Sequence, residues 1–242
     1  MLKKIFFTLI ATLFLAYFSL TVFYTNLYAN KQTICIDFQV NIVDASDRQY
    51  LSNNDIINSV KKAGLLPVGK DMSLVNTTEI EKKLMENRLI KKVECYKTVN
   101  GAVRVNIFHR TPILRIFSNK GSYYIDNQGE IMPVPENFAA YVPVASGFIE
   151  DKFAKTHLYE FAVFLQQDRF WNSQIKQIYV AQNGDVELTP AVGSHRIILG
   201  NIENYKENLD KLRLFYDKGL SKVGWNKYSV INLKFKNQVV CS

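Results

Sequence analysis

Hydrophobic and polar positions divide this chain into segments of different texture. Residues 5–24 carry no charge, and only Thr8, Thr12, Ser19 and Thr21 interrupt a run of Phe, Leu, Ile, Ala and Tyr. At about 1.5 Å per residue, some twenty residues reach roughly 30 Å, the hydrocarbon thickness of a bilayer. Residues 33–43 alternate, with Ile34, Ile36, Phe38, Val40 and Ile42 on one side. That period of two predicts a strand with one buried face. Ser52-Asn53-Asn54-Asp55 begins a helix, Ile56, Ile57, Val60 and Ala63 follow at helical spacing, and Gly64 stops it. Thr78 with Glu81 three places on reads as a capping box for a second helix carrying Ile80 and Leu84. Asn100-Gly101 between the runs 93–99 and 102–108 predicts a hairpin. Residues 33–109 therefore read strand–helix–helix–strand–strand, and two helices over a three-stranded sheet make a complete small domain.

The Pro112 of His109-Arg110-Thr111-Pro112 marks a joint. Beyond it come short strands at 113–118 and 122–125, a turn at Asp126-Asn127-Gln128-Gly129, and a loop from Pro133 to Pro143. Leu158, Phe161, Ala162 and Leu165 predict a helix over 155–169. Asn183-Gly184 joins strands at 175–180 and 185–188, and 196–199 is a further short strand. Tyr205, Leu209, Leu212 and Tyr216 share one face of a last helix, with Glu207 and Lys211 spaced as an i,i+4 pair. Residues 229–240 read as one final strand. Ile231, Leu233, Phe235 and Val239 point to the core; Asn232, Lys234, Lys236 and Gln238 point out.

Length and composition narrow the picture. The chain has 242 residues, 48% hydrophobic and 21% charged, which is globular rather than disordered or fibrous. Lys and Arg exceed Asp and Glu by 30 to 22, but they come as singles and pairs on solvated helix faces, not as a nucleic-acid footprint. Lys3 and Lys4 precede the apolar run and the next charge is Lys31, so the positive-inside tendency places the N-terminus in the cytoplasm and the remainder outside. Tyr24 and Tyr28 suit the far headgroup layer. The alternative is a cleaved signal peptide; its apolar core is shorter, and Leu27 and Tyr28 fit poorly before a cut at Ala29, so an uncleaved anchor is the favoured reading. Phosphate-loop chemistry is out of place in a compartment without ATP, and Gly69-Lys70 is followed by Asp71. Cys35, Cys95 and Cys241 are an odd set; Cys95 reads as a core residue, and a Cys35–Cys95 bridge stays open.

Candidate chemistry is sparse. His109, His157 and His195 lack metal-ligand spacing, and no Gly-x-Ser-x-Gly occurs. Asp126 and Glu130 as paired carboxylates flank a turn, where Asp ordinarily serves its own backbone. No catalytic residue, metal or cofactor is expected.

The order of these parts resembles the bacterial cell-division family FtsQ, called DivIB in some lineages. The local matches are Arg110-Thr111-Pro112, the stretch Tyr123-Tyr124-Ile125-Asp126-Asn127-Gln128-Gly129-Glu130-Ile131-Met132-Pro133, Pro143-Val144 followed by Gly147, and the closing Ile231-Asn232-Leu233-Lys234-Phe235-Lys236-Asn237-Gln238-Val239-Val240. The resemblance implies an α+β protein: cytoplasmic tail 1–4, transmembrane helix 5–28, a POTRA-like β-α-α-β-β domain over 33–110, and a β-rich domain with two helices over 111–242. It further implies a non-enzymatic scaffold at the division septum that binds FtsB- and FtsL-type membrane proteins and helps regulate septal peptidoglycan synthesis. A cytoplasmic tail of about four residues departs from many members and leaves little room for cytoplasmic contacts.

The resemblance places the partner on the last strand, and the residues supply a physical reason. An edge strand exposes unpaired N–H and C=O groups with which another chain can pair. The expected partner-binding residues are Trp225, Tyr228, Val230, Ile231, Asn232, Leu233, Lys234, Phe235, Lys236 and Gln238. Lys234 and Lys236 would favour an acidic partner segment, or would only block self-pairing. The rival readings are a POTRA-bearing envelope chaperone or translocation component, and an envelope hydrolase whose site carries no familiar motif.

Overall fold

The computed structural model describes residues 2–29, 33–43, 50–136 and 138–242. Helix α1 (Leu2–Ala29) contains an apolar stretch, Ile5–Thr25, long enough to cross a membrane. Its side chains project outward, with Phe7 76% and Phe14 73% exposed to whatever surrounds the helix. The hydroxyls of Thr12, Ser19, Thr21 and Thr25 each donate to the carbonyl three residues back at 2.8–2.9 Å, so these polar groups carry their own acceptors into an apolar medium. The side chains of Lys3, Lys4, Tyr28 and Lys31, on which the orientation argument leans, lie outside the described residues.

The next module places α2 (Asn53–Lys62) and α3 (Thr77–Met85) on a sheet of β1 (Asp37–Ile42), β2 (Ile90–Lys97) and β3 (Ala102–His109), in order β1-β3-β2. β1 runs parallel to β3, and β2 antiparallel to it. Val103, Val105 and Ile107 meet Val60, Ile80 and Leu84 in its core. Ser52 caps α2 in a capping box closed by Asp55, as the sequence suggests. The cap of α3 is Asn76 rather than Thr78, with Glu79 N–H donating to its Oδ1 at 3.2 Å. Glu81 is thereby free for another duty: its Oε1 accepts from Cys95 N–H at 2.7 Å, closing a donor on the outer edge of β2.

The expected alternation of residues 33–43 fails at its start. Cys35 is buried, while Ile34 and Ile36 are exposed. Residues 33–36 leave the ladder's pleat because they are held on the other side by a loop: Cys35 N–H donates to Lys70 C=O, Gly69 N–H to Cys35 C=O, and Met72 N–H to Thr33 C=O. All three cysteines are free thiols.

The C-terminal region is built on one nine-stranded sheet. Its strands are β4 (Pro112–Ser118), β5 (Gly121–Asp126), β6 (Ile131–Met132), β7 (Val144–Gly147), β8 (Ile175–Val180), β9 (Val186–Pro190), β10 (Arg196–Gly200), β11 (Val230–Asn232) and β12 (Val240–Cys241). Their order is β12-β11-β10-β9-β8-β7-β4-β5-β6. The pairs β4–β7, β7–β8 and β10–β11 are parallel, each reached by a long connection. The helix expected over 155–169 begins earlier, as α4 (Asp151–Phe153), passes through a π turn (Ala154–Leu158) and continues as α5 (Tyr159–Gln167). Asp168 ends it and caps α6 (Arg169–Gln174), accepting from Phe170 and Trp171 N–H. The last helical stretch is α7 (Tyr205–Phe215), a second π turn (Tyr216–Leu220) and α8 (Ser221–Val223). Phe161, Leu165, Leu209 and Leu212 pack with Leu114, Ile178, Leu188 and Ile231 in one core.

At the joint, Asp126 is fully buried. Its Oδ2 accepts from Arg110 Nη1 at 2.7 Å, and its Oδ1 from the N–H groups of Gln128 and Glu130, both at 2.8 Å. The Tyr50 hydroxyl donates to Arg110 C=O, and its ring stacks on His109 at 4.7 Å. Glu130 pairs outward with Lys155 at 2.8 Å. Asp126 and Glu130 thus serve a turn and two ion pairs, not each other.

His195 is buried beside Tyr216, with Nε2 2.8 Å from the Tyr216 hydroxyl and its ring near Trp225. Desolvation holds its imidazole below the ordinary 6.5, partly offset by the Trp225 backbone. The unfolded chain therefore binds the proton first as pH falls. This contribution to stability is complete above pH 6.5 and declines as pH drops from 6.5 towards the depressed folded value. Urea unfolding at stepped pH is expected to show that decline, and a His195→Gln variant is expected to lack it.

Candidate functional site at the C-terminal sheet edge

The sequence reads 229–240 as one straight edge strand; the structure folds it into a hairpin. β11 is only three residues long and lies between β10 and β12. The chain turns over 235–238, where Asn237 takes φ 58°. Asn tolerates this left-handed conformation because its short amide bonds locally, so Lys236-Asn237-Gln238 was the turn signal inside an otherwise alternating run.

This rearranges the expected partner-binding residues. Ile231 and Leu233 are fully buried. The Leu233 N–H donates to Ile198 C=O at 2.9 Å, so both residues face the protein's own core and neighbour strand. Val230 and Asn232 are partly buried within the β10–β11–β12 ladder, and Asn232 Oδ1 accepts from Lys234 N–H. Trp225 packs against Tyr216 with ring centroids at 4.9 Å, and Tyr228 approaches Phe215 at 6.1 Å. Phe235, expected in the core, is 44% exposed because the turn carries it off the sheet. Lys234 reaches back to Asp185 at 2.6 Å, and that bond holds the Asp185 carboxyl below its usual range. Lys236 and Gln238 remain exposed on the turn.

The outer edge of the sheet is β12, which runs past Val240 to Cys241. Val230 and Ser242 exchange both backbone bonds at 3.1 Å. Antiparallel pairs alternate between bonded and non-bonded, so Ile231–Cys241 is the non-bonded pair. Cys241 N–H and C=O therefore turn away from β11 towards the open side. The turn that delivers β12 is pinned from α7: Lys211 Nζ donates to the carbonyls of Leu233 and Phe235, both at 2.9 Å, instead of pairing with Glu207. Between α7 and the turn lies an open apolar groove of about 540 Å³, lined by Lys211, Leu214, Phe215, Gly219, Gln238 and Val239.

Two of the other three sheet ends are blunted, while the outer side of β1 is a further edge. β6 is a two-residue strand followed by Pro133 and Pro135, which donate no backbone hydrogen bond. The outer edge of β2 is closed at Cys95 by Glu81. Among the described residues, no group of His, Cys, Asp or Glu is placed to hold a metal.

Two family models match the chain. One, described as FtsQ/DivIB, C-terminal related, covers residues 111–242; the other, a POTRA-like domain, covers residues 33–108. No curated protein matches the chain.

Proposed function

The chain belongs to the FtsQ/DivIB family of cell-division proteins, and from that premise we propose that it holds membrane partners together by strand addition to β12. The family is one of non-enzymatic scaffolds, and the one apolar helix of membrane-spanning length among the described residues fits a single-pass member at the division septum. In our reading the N-terminus is cytoplasmic, both folded modules lie outside, and FtsB- and FtsL-type proteins are the partners whose capture localises and regulates septal peptidoglycan synthesis.

The observation that carries this reading is the open side of β12, where Cys241 offers one donor and one acceptor to an incoming strand. An added strand gains main-chain bonds there, while Phe235, Lys236 and Gln238 on the turn flank its path. Ile231 and Leu233 support the ribbon from beneath and do not touch the partner. Partners confined to one membrane plane meet at high effective concentration, so a short interface suffices.

Cys241→Pro tests this in the full-length chain. Proline removes the outward N–H without removing a bond to β11. Capture of membrane-anchored division proteins from detergent-solubilised membranes is expected to fall about tenfold, the worth of one or two ladder bonds, with thermal unfolding unchanged. Undiminished capture by a folded variant would count against the edge.

A further inference from the structure

We propose that the end of the POTRA-like module nearest α1 rests in the lipid headgroup layer, with Ile34, Ile36, Val68, Leu74 and Val99 as its apolar contacts. This rests on α1 being the membrane anchor.

The topology brings these residues together. β1 and β3 run parallel with Asp37 opposite Ala102, so the point where the chain arrives from α1 and the β2–β3 turn share one end of the sheet. Ile36 N–H donates to Gly101 C=O at 2.9 Å, two residues from Val99. A side chain at Gly101 would stand 3.6 Å from Ile34 C=O and from Thr33 Cγ2. Ile34 bridges Asp71, and Gly69 N–H donates to Cys35 C=O at 2.8 Å, which brings up Leu74 and Val68 from the 67–74 loop.

All five side chains are exposed although all are large and apolar: Ile34 57%, Ile36 70%, Val68 46%, Leu74 79% and Val99 103%. Scattered single apolar residues on a surface are ordinary; five around one chain entry point are a patch. The covalent chain says what covers it. α1 ends at Ala29 and the module begins at Thr33. Four Cα–Cα steps span at most about 15 Å, so this end of the sheet cannot leave the neighbourhood of the helix terminus. The layer it meets there is the headgroup region, where amphipathic surfaces bury apolar side chains by several ångström. The charges beside the patch have both signs, Lys70 and Lys97 against Asp37 and Asp71. Lys97 Nζ is engaged with Met72 C=O, and Asp71 with Ser73. Apolar insertion, rather than attraction to anionic lipid, therefore drives the contact.

The test uses the full chain in nanodiscs, one set of phosphatidylcholine and one of phosphatidylethanolamine with phosphatidylglycerol. An environment-sensitive nitrobenzoxadiazole label goes on Val99→Cys in a Cys241→Ser background; Cys35 and Cys95 are buried and stay unlabelled. The same label on Thr25→Cys reports helix insertion, and on Asn183→Cys, in an exposed turn of the C-terminal sheet, reports water. Lipids carrying a doxyl quencher near the headgroup are expected to remove about half the Val99 emission or more in both lipid sets, and to leave Asn183 bright. Ile34→Ser with Ile36→Ser and Leu74→Ser should bring Val99 to the Asn183 level while Thr25 stays quenched. A quenched Thr25 with Val99 behaving like Asn183 overturns the proposal alone. So does a Val99 label that is shielded but unquenched, which reports protein contact. An unquenched Thr25 overturns the anchor and the proposal together. Quenching confined to the anionic set overturns the apolar mechanism.

Discussion

Replacing Asp126 by alanine is expected to destabilise the C-terminal domain by about 2–4 kcal/mol. The carboxylate is fully buried and holds three donors: Arg110 Nη1 on one oxygen, Gln128 and Glu130 N–H on the other. Alanine strands all three. Arg110 retains 19% side-chain exposure, so water softens the loss of its partner and the upper end of the range for buried pairs does not apply. For a chain of this length the loss corresponds to a fall of roughly 4–16 °C in Tm. The turn that closes β5 onto β6 should loosen with it, because Asp126 Oδ1 sets the positions of two of its N–H groups. Scanning calorimetry on the solubilised chain checks the magnitude. A double-mutant cycle with Arg110→Met separates the ion pair from the turn: if the turn dominates, Arg110→Met costs about as much in the Asp126→Ala background as in the parent, and if the ion pair dominates it costs much less there.

That result bears on why this stretch resembles its family at all. Tyr123 to Pro133 reads as a strand ending in a turn, and the structure gives every conspicuous residue in it such a duty. The Tyr124 hydroxyl accepts from Ala140 N–H at 3.0 Å, Gly129 takes φ 80° beneath the Tyr159 ring, and Glu130 reaches Lys155. Packing and turn geometry account for the motif without chemistry.

Elements whose signals are local were legible in the sequence. Ser52 with Asp55, Asn100-Gly101 and Asn183-Gly184 fix caps and turns within four residues, and the matching elements stand where those signals put them. What escaped was set by distant partners. Ile34 and Ile36 alternate like a core face, yet a loop some thirty-five residues on binds the backbone there and turns Cys35 inward. Lys211 is spaced to pair with Glu207, but two carbonyls of a turn more than twenty residues away hold it more fully. Thr78 satisfies the capping-box pattern, but Asn76 takes the cap and Glu81 is drawn to β2. Spacing within a helix cannot reveal competition from another element. At the last strand the alternating run of 229–240 reads as straight, although Asn237 gives it the means to bend.

Leu233 and Phe235 turn that misreading into the sharpest measurable contrast. On a straight strand they are equivalent, two places apart on one face, and a lysine at either buries a charge. In the hairpin they are not. Leu233 is fully buried against the sheet, with its N–H on Ile198 C=O and its carbonyl held by Lys211. Leu233→Lys removes a packed side chain and forces an ammonium into that core, so a loss of about 4 kcal/mol or more is expected, enough to unfold a domain of ordinary stability. Phe235 is 44% exposed, and what the fold uses is its carbonyl, which any residue supplies. Phe235→Lys is therefore expected to stay within about 0.5 kcal/mol of the parent. Denaturant midpoints for the two variants decide the matter. A large loss at both positions would restore the straight strand; a large loss at Leu233 alone means the ribbon doubles back, and that the outer edge of the sheet is the second limb of the hairpin rather than the first.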